Sequence, residues 1–267
     1  MPELEASKLK FAITRDGVRV AYDTVGGGAP LVFVHGLGDE RSIWQPVISL
    51  LAPHYTCITL DLRGHGQTTG ALKFDPFELA NDLEAVILEA GLRKPVLIGH
   101  SLGAFVATMY AAAARGPVGA VVNVDQLLML DDWGAIVKPH EAALRAGHVR
   151  EVSFKVLEPV GLGPLTAAQR ARLDASRESL PPEVVLGVWG PFFEAKFDAV
   201  LARVERAIER ISAPYLSLFG HEAAPAYLTW LRARLRHGQV ESWSGLGHFL
   251  HLVEPDRFAD RIKQFVG

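Results

Sequence analysis

The segment Gly99-His100-Ser101-Leu102-Gly103 stands between a strand-like run and a helix-like run. The preceding residues, Pro95–Ile98, are apolar and typical of a buried strand, whereas Leu102–Ala114 is rich in the helix-forming residues Ala, Leu and Met. A Gly-x-Ser-x-Gly pattern at such a junction predicts a sharp turn that holds the serine exposed. The bare pattern also arises by chance, and a glycine-rich turn with an idle serine is the alternative. The context favours Ser101 as a nucleophile.

The same alternation of apolar and helix-forming stretches extends in both directions from this turn. Val18–Asp23 alternates like a half-buried strand. Further strands are predicted at Leu31–Val34, Thr56–Leu60, Val118–Val124, Pro214–Gly220 and Val240–Trp243. Further helices are predicted at Pro76–Ala90, Pro225–Arg236 and Pro255–Phe265. Repetition of strand and helix predicts a parallel sheet with helices on both faces.

Residues 127–211 interrupt this alternation. They contain no strand-like run, and their helix-forming stretches are broken by prolines at Pro139, Pro159, Pro164, Pro181, Pro182 and Pro191. We therefore expect residues 1–126 and 212–267 to form one sheet-containing core. We expect residues 127–211 to form a helical cap that lies over the active edge of the sheet.

A serine hydroxyl needs a base before it can act as a nucleophile. Among ten histidines, His248 is the strongest candidate because it ends the glycine-rich loop Ser244-Gly245-Leu246-Gly247-His248 after a predicted strand. His251 is interpreted as a packing or surface residue. A zinc pair formed by His248 and His251 is the alternative, but the sequence offers no third ligand, and no metal is expected.

A tetrahedral oxyanion requires two hydrogen-bond donors. The loop His35-Gly36-Leu37-Gly38 follows the strand Leu31–Val34 and can direct the Leu37 amide towards Ser101. The Leu102 amide, at the start of the helix behind Ser101, is the predicted second donor. The alternative is that these glycines only form a tight turn. A phosphate cradle is disfavoured because no Lys-Ser or Lys-Thr pair follows them.

Taken together, these motifs resemble the α/β-hydrolase superfamily over nearly the whole chain except the cap. The motifs are His35-Gly36, Asp61-Leu62-Arg63-Gly64-His65-Gly66, the Ser101 pentapeptide and Gly247-His248. The resemblance implies an α/β-hydrolase fold: an eight-stranded, mostly parallel sheet with helices on both faces and a helical cap inserted after strand six. It also implies hydrolysis without a cofactor. Arg63-Gly64-His65-Gly66 is interpreted as a structural turn.

The acid of the triad departs from the usual superfamily pattern. Most members carry it after strand seven in a Gly-x-x-Asp turn, where this chain has Ala223. Asp125 instead closes the predicted strand six, which resembles zearalenone-type lactonases and one branch of the haloalkane dehalogenases. The stretch Gly247-His248-Phe249 extends the likeness to the lactonases. Asp125 is the predicted acid, and Glu222 is the alternative. A polar strand end without a catalytic role is the third interpretation of Asp125.

Composition limits the partners of this chain. A formal net charge of −3 gives no reason to expect nucleic acid or an anionic membrane as a partner. The sequence contains one cysteine, Cys57, which excludes an internal disulfide and is typical of a reducing compartment. The N-terminus lacks a basic start followed by an apolar stretch, so we expect a cytoplasmic protein. The sequence leaves open whether it forms a homodimer.

The expected substrate is a small apolar ester or lactone. Attack by serine disfavours dehalogenase and epoxide hydrolase chemistry, which use an aspartate. Hydrolysis of carbon–carbon bonds in β-diketone-type substrates is an alternative, and a ligand-binding receptor or scaffold that retains the fold is another. Candidate pocket residues lie in the oxyanion loop and the cap: His35, Gly36, Trp133, Trp189, Phe192 and Phe193. The cap aromatics, which also include Phe197, could instead only attach the cap to the sheet.

Overall fold

The computed structural model describes residues 9–194, 197–235 and 237–267. One sheet of eight strands runs through the molecule in the order β1-β2-β4-β3-β5-β6-β7-β8. The first two strands pair antiparallel, as do β2 and β4, and every later pairing is parallel. The strands are β1 Lys10–Ile13, β2 Arg19–Val25, β3 Ala29–Val34, β4 Tyr55–Leu60, β5 Val96–His100, β6 Ala120–Val124, β7 Tyr215–Phe219 and β8 Gly238–Ser242.

Twelve α-helices surround or cap the sheet in the described residues. The six that flank the sheet are α1 Gln45–Leu51, α2 Leu79–Glu89, α3 Leu102–Ala112, α10 Pro225–Arg234, α11 Leu250–Val253 and α12 Pro255–Val266. The other six lie between β6 and β7: α4 Asp131–Val137, α5 Glu141–Arg145, α6 Val149–Lys155, α7 Ala167–Glu178, α8 Pro182–Phe193 and α9 Phe197–Ile208. We call α4–α9 and their connections the cap segment. Its separation from the core as a lid, with bounds at 127 and 211, stays a proposal.

The eight-stranded, mostly parallel sheet with helices confirms the predicted fold class. The central strands are mostly apolar because helices cover both faces; all five residues of β6 are buried, and so are all five of β7, including the polar Asn123 and Ser217. Only one residue of β1, Ala12, is buried, which is why the sequence pattern did not predict this edge strand. Helix α2 begins at Leu79, three residues after the predicted start at Pro76. The intervening residues form a turn in which the Asp75 carboxylate accepts a hydrogen bond from the Phe77 amide.

The burial of Cys57 and the character of the helices complete the description of the fold. Cys57 lies buried on β4, and burial raises the pKa of its thiol to about 12. Among the described helices, none has both the length and the apolar composition that a bilayer crossing needs.

Candidate active site

The turn between β5 and α3 holds Ser101 in a strained backbone conformation, with φ of 50° and ψ of −121°. A positive φ is unfavourable for a residue with a side chain, so surrounding structure must enforce it. A Cβ on Gly103 would lie 2.2 Å from the Val34 carbonyl oxygen, and one on Gly99 would lie 2.3 Å from the Gly103 backbone. The two glycines are therefore required for α3 to approach β3 and β5 closely enough to form this turn.

Asp125 lies at the carboxyl end of β6, next to the strand that carries Ser101. It also has a positive φ, 55°, and its amide donates a hydrogen bond to the Leu218 carbonyl on β7. Its carboxylate is fully buried, and Oδ2 accepts a hydrogen bond from His248 Nδ1 at 2.7 Å. Because Nδ1 donates this proton, Nε2 of a neutral His248 carries the free electron pair that a general base needs.

A second histidine contacts the same carboxylate. His221 Nδ1 lies 3.2 Å from Asp125 Oδ1, which also accepts a hydrogen bond from the Gly220 amide at 3.2 Å. Thus each oxygen of Asp125 faces one imidazole. Sequence reasoning missed His221, although its position directly after strand seven, where a superfamily acid is usual, was a signal.

Burial and the contacts between them determine the charge states of Asp125, His248 and His221. Burial alone would raise the pKa of Asp125, but the contacts with His221 and His248 outweigh it and hold that pKa below its ordinary value. Burial and the neighbouring His100 lower the pKa of His248, despite the opposing effect of Asp125. The nearby carboxylate of Asp125 raises the pKa of the partly buried His221. At neutral pH His248 is therefore poised as a neutral base beside an ionised carboxylate.

The His248 loop is fixed from both sides. The His248 amide donates a hydrogen bond to the Gly161 carbonyl of the cap segment at 2.8 Å. The loop also lies so close to the end of β7 that a Cβ on Gly220 would be 1.8 Å from the Gly247 carbonyl oxygen. Ser101 and His248 line the same cavity, but no hydrogen bond joins them in this structure. Such contacts often tighten only when substrate is bound.

The predicted oxyanion donors lie beside Ser101. Leu102 is the first residue of α3, and Leu37 lines the cavity together with Ser101. Within the described residues, neither amide donates a hydrogen bond to another protein group, so both are available to a ligand. Gly36 is close as well, since a Cβ on it would lie 3.3 Å from Ser101 Cβ.

Neither Glu222, the alternative acid, nor His251 forms a hydrogen bond with the side chain of Asp125 or of His248. The Glu222 carboxylate accepts a hydrogen bond from the Ser244 hydroxyl at the surface. His251 is fully buried and packs on Trp44 and His100, with ring centroids 4.5 Å and 4.6 Å away. Both of its nitrogens lack a described hydrogen-bond partner, and burial lowers its pKa well below the ordinary value. His251 is a packing residue, not a surface one.

A mostly apolar cavity of about 90 Å³ lies between Ser101 and the cap segment. Gly36, Trp133, Trp189 and Phe192 line it, as the sequence predicted for the pocket. The remaining apolar lining comes from Leu37, Pro76, Phe77, Leu102, Phe105, Leu130, Val156, Leu157, Val188, Pro191 and Val200. The volume is smaller than that of a cavity that holds one small aromatic molecule, which is about 150 Å³.

Two predicted pocket residues lie elsewhere, which corrects their assignment. His35 is fully buried behind the loop that follows β3, where its Nδ1 donates to the Gly36 carbonyl and its Nε2 accepts from the Leu62 amide. It joins the ends of β3 and β4. Phe193 does not line the cavity; it follows Phe192 on α8, and neighbouring helical positions face different directions.

Three ionisable residues in the cavity wall were missed by sequence reasoning, as were the uncharged polar residues Gln126 and Ser153. Asp39, His100 and Arg177 line the cavity, and each is at least nine-tenths buried. His100 Nε2 donates a hydrogen bond to the His248 carbonyl at 2.9 Å, and Arg177 Nη1 lies 3.5 Å from Asp39 Oδ1. No sequence motif marks Arg177, because it reaches the cavity only through the folding of the cap segment.

Metal ligands are not grouped in the described part of the chain: no three His, Cys, Asp or Glu side chains there could hold one ion. His248 and His100, which line the cavity with Ser101, instead make hydrogen bonds to Asp125 and to the His248 carbonyl, and His251 packs on His100. The arrangement of a strained serine, a histidine with a free Nε2 and a buried carboxylate is suited to nucleophilic attack on a carbonyl carbon.

Comparison with known proteins supports the fold described above. Residues 31–261 match the model of the alpha/beta hydrolase family. The uncharacterized protein Rv2715 of Mycobacterium tuberculosis (strain ATCC 25618 / H37Rv) is 24% identical over 275 residues, covering 95% of this chain and 80% of that protein. A soluble epoxide hydrolase of Corynebacterium sp. (strain C12) is 33% identical over 140 residues, or 50% of this chain and 47% of that protein.

A solved structure shares the architecture over almost the full length. The thermophilic esterase from Thermogutta terrifontis superimposes with a TM-score of 0.76 and 21% sequence identity, covering 97% of this chain and 98% of that one. At this level of identity the similarity is one of fold.

Proposed function

The chain belongs to the alpha/beta hydrolase family, and from this premise we propose that it is a serine hydrolase that cleaves a carboxylic ester or lactone. Hydrolases of esters and epoxides among the similar proteins support hydrolysis of esters or related bonds. The observation that carries the proposal is the 2.7 Å contact between Asp125 and His248 beside the strained Ser101 in one cavity.

In the proposed mechanism, Ser101 Oγ attacks the carbonyl carbon while His248 Nε2 accepts its proton. Asp125 orients the imidazole through Nδ1 and stabilises the imidazolium that forms. The Leu37 and Leu102 amides donate hydrogen bonds to the oxyanion, an effect of about 3 kcal/mol for one such donor. His248 then protonates the leaving alcohol as the carbon–oxygen bond breaks. Water, deprotonated by His248, finally attacks the acyl-enzyme and releases the acid.

Two features argue for an ester or lactone over an epoxide. The residue in the strained turn is serine, whose acyl ester can be hydrolysed through the same oxyanion site. An aspartate nucleophile, which epoxide opening uses, would have to occupy that position. The small, mostly apolar cavity further supports a compact apolar acyl group or lactone ring.

The test is a panel of nitrophenyl esters, lactones and β-diketones assayed with the wild type and Ser101→Ala. We expect a burst of nitrophenol equal to the enzyme concentration, followed by slower turnover, and its loss in Ser101→Ala with an unchanged circular dichroism spectrum. Preference for a diketone would move the assignment to carbon–carbon bond hydrolysis. Binding without any release of nitrophenol would indicate a receptor, and activity that persists in Ser101→Ala would refute the nucleophile.

A further inference from the structure

We propose that Arg177 forms a substrate subsite for an uncharged carbonyl oxygen, so that the preferred ester or lactone carries a second carbonyl group beside the scissile one. The proposal names the substrate class of the cavity and rests on the proposed function. It follows from three properties of Arg177: its position, its incomplete hydrogen bonding and the charge that surrounds it.

Arg177 projects from α7 of the cap segment into the wall of the catalytic cavity, where Ser101 and His248 are also found. It is only 2% exposed, which is rare for an arginine without strong partners. Aromatic rings flank its guanidinium: the ring centres of Phe154 and Phe249 lie 5.1 Å and 5.6 Å from Cζ. These rings fix the plane of the guanidinium but accept no conventional hydrogen bond.

The hydrogen bonds of Arg177 are few and long. Only Nη1 is engaged, with Asp39 Oδ1 at 3.5 Å and the Leu173 carbonyl at 3.2 Å. Nε is buried without a partner, and Nη2 makes no hydrogen bond to any described residue. Arginine carries five N–H donors, and a buried donor left unpaired is unfavourable. An acceptor supplied by a bound substrate would remove this deficit.

The surrounding charge selects an uncharged acceptor. Burial would raise the pKa of Asp39, but Arg177 and His100 outweigh it and lower that pKa to about 2, so Asp39 is ionised. Arg177 and Asp39 together have no net charge. A substrate carboxylate would add an uncompensated negative charge to a buried, mostly apolar cavity, which is strongly unfavourable. A ketone, amide or ester carbonyl can accept from the guanidinium without this penalty.

The subsite lies on the same wall as the nucleophile. The position that a Cβ would take on Gly36 is 3.1 Å from Asp39 Oδ2 and 3.3 Å from Ser101 Cβ. The ion pair of Asp39 and Arg177 therefore borders the oxyanion loop. In a cavity of about 90 Å³, this places the second carbonyl only a few bonds from the scissile one.

The test compares three p-nitrophenyl esters of similar size: pentanoate, 4-oxopentanoate and hemisuccinate. Each kcat/KM is corrected for spontaneous hydrolysis and divided by the rate constant for hydroxide, so that intrinsic reactivity cancels. In the wild type we expect the 4-oxopentanoate to exceed the pentanoate about tenfold, the effect of one good hydrogen bond, and the hemisuccinate to fall below both. Arg177→Met should bring the ratio of the first two close to one. Arg170→Met, an exposed position on the same helix, should keep the wild-type ratio.

The variant Asp39→Asn tests the preference for an uncharged acyl group separately, in case Arg177→Met does not fold. In Asp39→Asn the guanidinium loses its counter-charge, so the hemisuccinate should gain about tenfold relative to the pentanoate. An unchanged hemisuccinate ratio there would contradict the charge argument. A wild-type preference for the hemisuccinate would overturn the uncharged subsite, and so would equal rates for 4-oxopentanoate and pentanoate.

Failure of the catalytic assignment is distinguishable from failure of the subsite. Binding of 4-oxopentanamide and pentanamide to Ser101→Ala, measured by isothermal titration calorimetry, requires no turnover. We expect the same tenfold preference in binding, and equal affinities would refute the subsite. Hydrolysis of none of the three esters, with the binding preference intact, would refute the proposed function alone.

Discussion

At the scale of single residues, the acid of the triad is the sharpest question. Asp125→Asn should lower kcat by several orders of magnitude, because the amide favours the wrong His248 tautomer and cannot stabilise the imidazolium. In the serine protease that serves as the reference case for this substitution the loss is about 10⁴-fold. Glu222→Gln, whose side chain contacts Ser244 at the surface, should change kcat less than about threefold. The reverse order in steady-state assays would place the acid after β7.

The pKa of His248 leads to a second prediction about a single residue. His248 must be neutral to accept the serine proton, and its pKa is lowered from 6.5 by burial and by His100. We therefore expect kcat/KM to stay high as the pH falls to 6.5 and to decline only at lower pH. A pH–rate profile for an uncharged ester measures this limb. An acid limb centred above 6.5 would contradict the assignment.

His221 should act as a positioning residue through Asp125. In His221→Ala the Oδ1 atom keeps only the Gly220 amide, so we expect kcat to fall about tenfold with little change in KM. His221→Asn, which retains a side-chain N–H, should recover part of that loss. The exposed His54→Ala serves as the control. If His221→Ala changed only KM, or if Asn recovered nothing, His221 would have another role.

Local sequence patterns predicted some site residues and missed others for a physical reason. Ser101 and His248 lie in turns at strand ends. The tight backbone of these turns requires glycines, and those glycines are visible in the neighbouring sequence. Arg177 has no such signature because it sits in the interior of an ordinary helix. His35 carried a misleading one, since the same His-Gly pair that shapes the oxyanion loop also buries the imidazole behind it.

At the scale of secondary-structure elements, the close approach of α3 to β3 determines whether the serine turn can form. Gly103→Ala should destabilise the protein by about 3 kcal/mol, because its Cβ would overlap the Val34 carbonyl oxygen and the backbone cannot yield easily. Gly27→Ala, where a Cβ meets nothing within 4 Å, should change stability by less than about 0.5 kcal/mol. Urea unfolding monitored by circular dichroism compares the two. Equal midpoints would contradict the packing argument.

Elements covered on both faces were predictable, and elements at the margin of the sheet were not. The buried strands β3, β5 and β6 show continuous apolar runs, so their existence followed directly from hydrophobicity. The edge strand β1 buries only Ala12 and therefore shows no pattern. The start of α2 differs from the predicted one by three residues, because the first turn, capped by Asp75, precedes the regular helix and a sequence pattern does not separate the two.

At the scale of the whole molecule, the order of strands brings distant parts of the chain together. Strand pairing places β5 between β3 and β6, so the loop after β3, Ser101 and Asp125 meet at one edge. The carboxyl ends of parallel strands meet at the same edge, so the sequence could predict this meeting. The contacts of Arg177 depend on how the helices of the cap segment pack, which no local pattern encodes.

The proposed mechanism uses only side chains and backbone amides of this chain. We therefore expect ester turnover to be unchanged after incubation with EDTA followed by removal of the chelate. Thermal unfolding should likewise occur at the same midpoint with and without EDTA, since a bound structural ion would raise it. Lost activity that zinc restores would refute the serine mechanism.

The burial of Cys57 makes the folded protein convenient for site-directed labelling. Maleimide reagents attack a thiolate, and this thiol is both inaccessible and protonated at neutral pH. A cysteine placed at the exposed Ala175 on α7, with a second at the exposed Arg93 beside the sheet, will then carry the only two fluorophores. Energy transfer between them reports the distance from α7 to the sheet during turnover, with the native cysteine left in place.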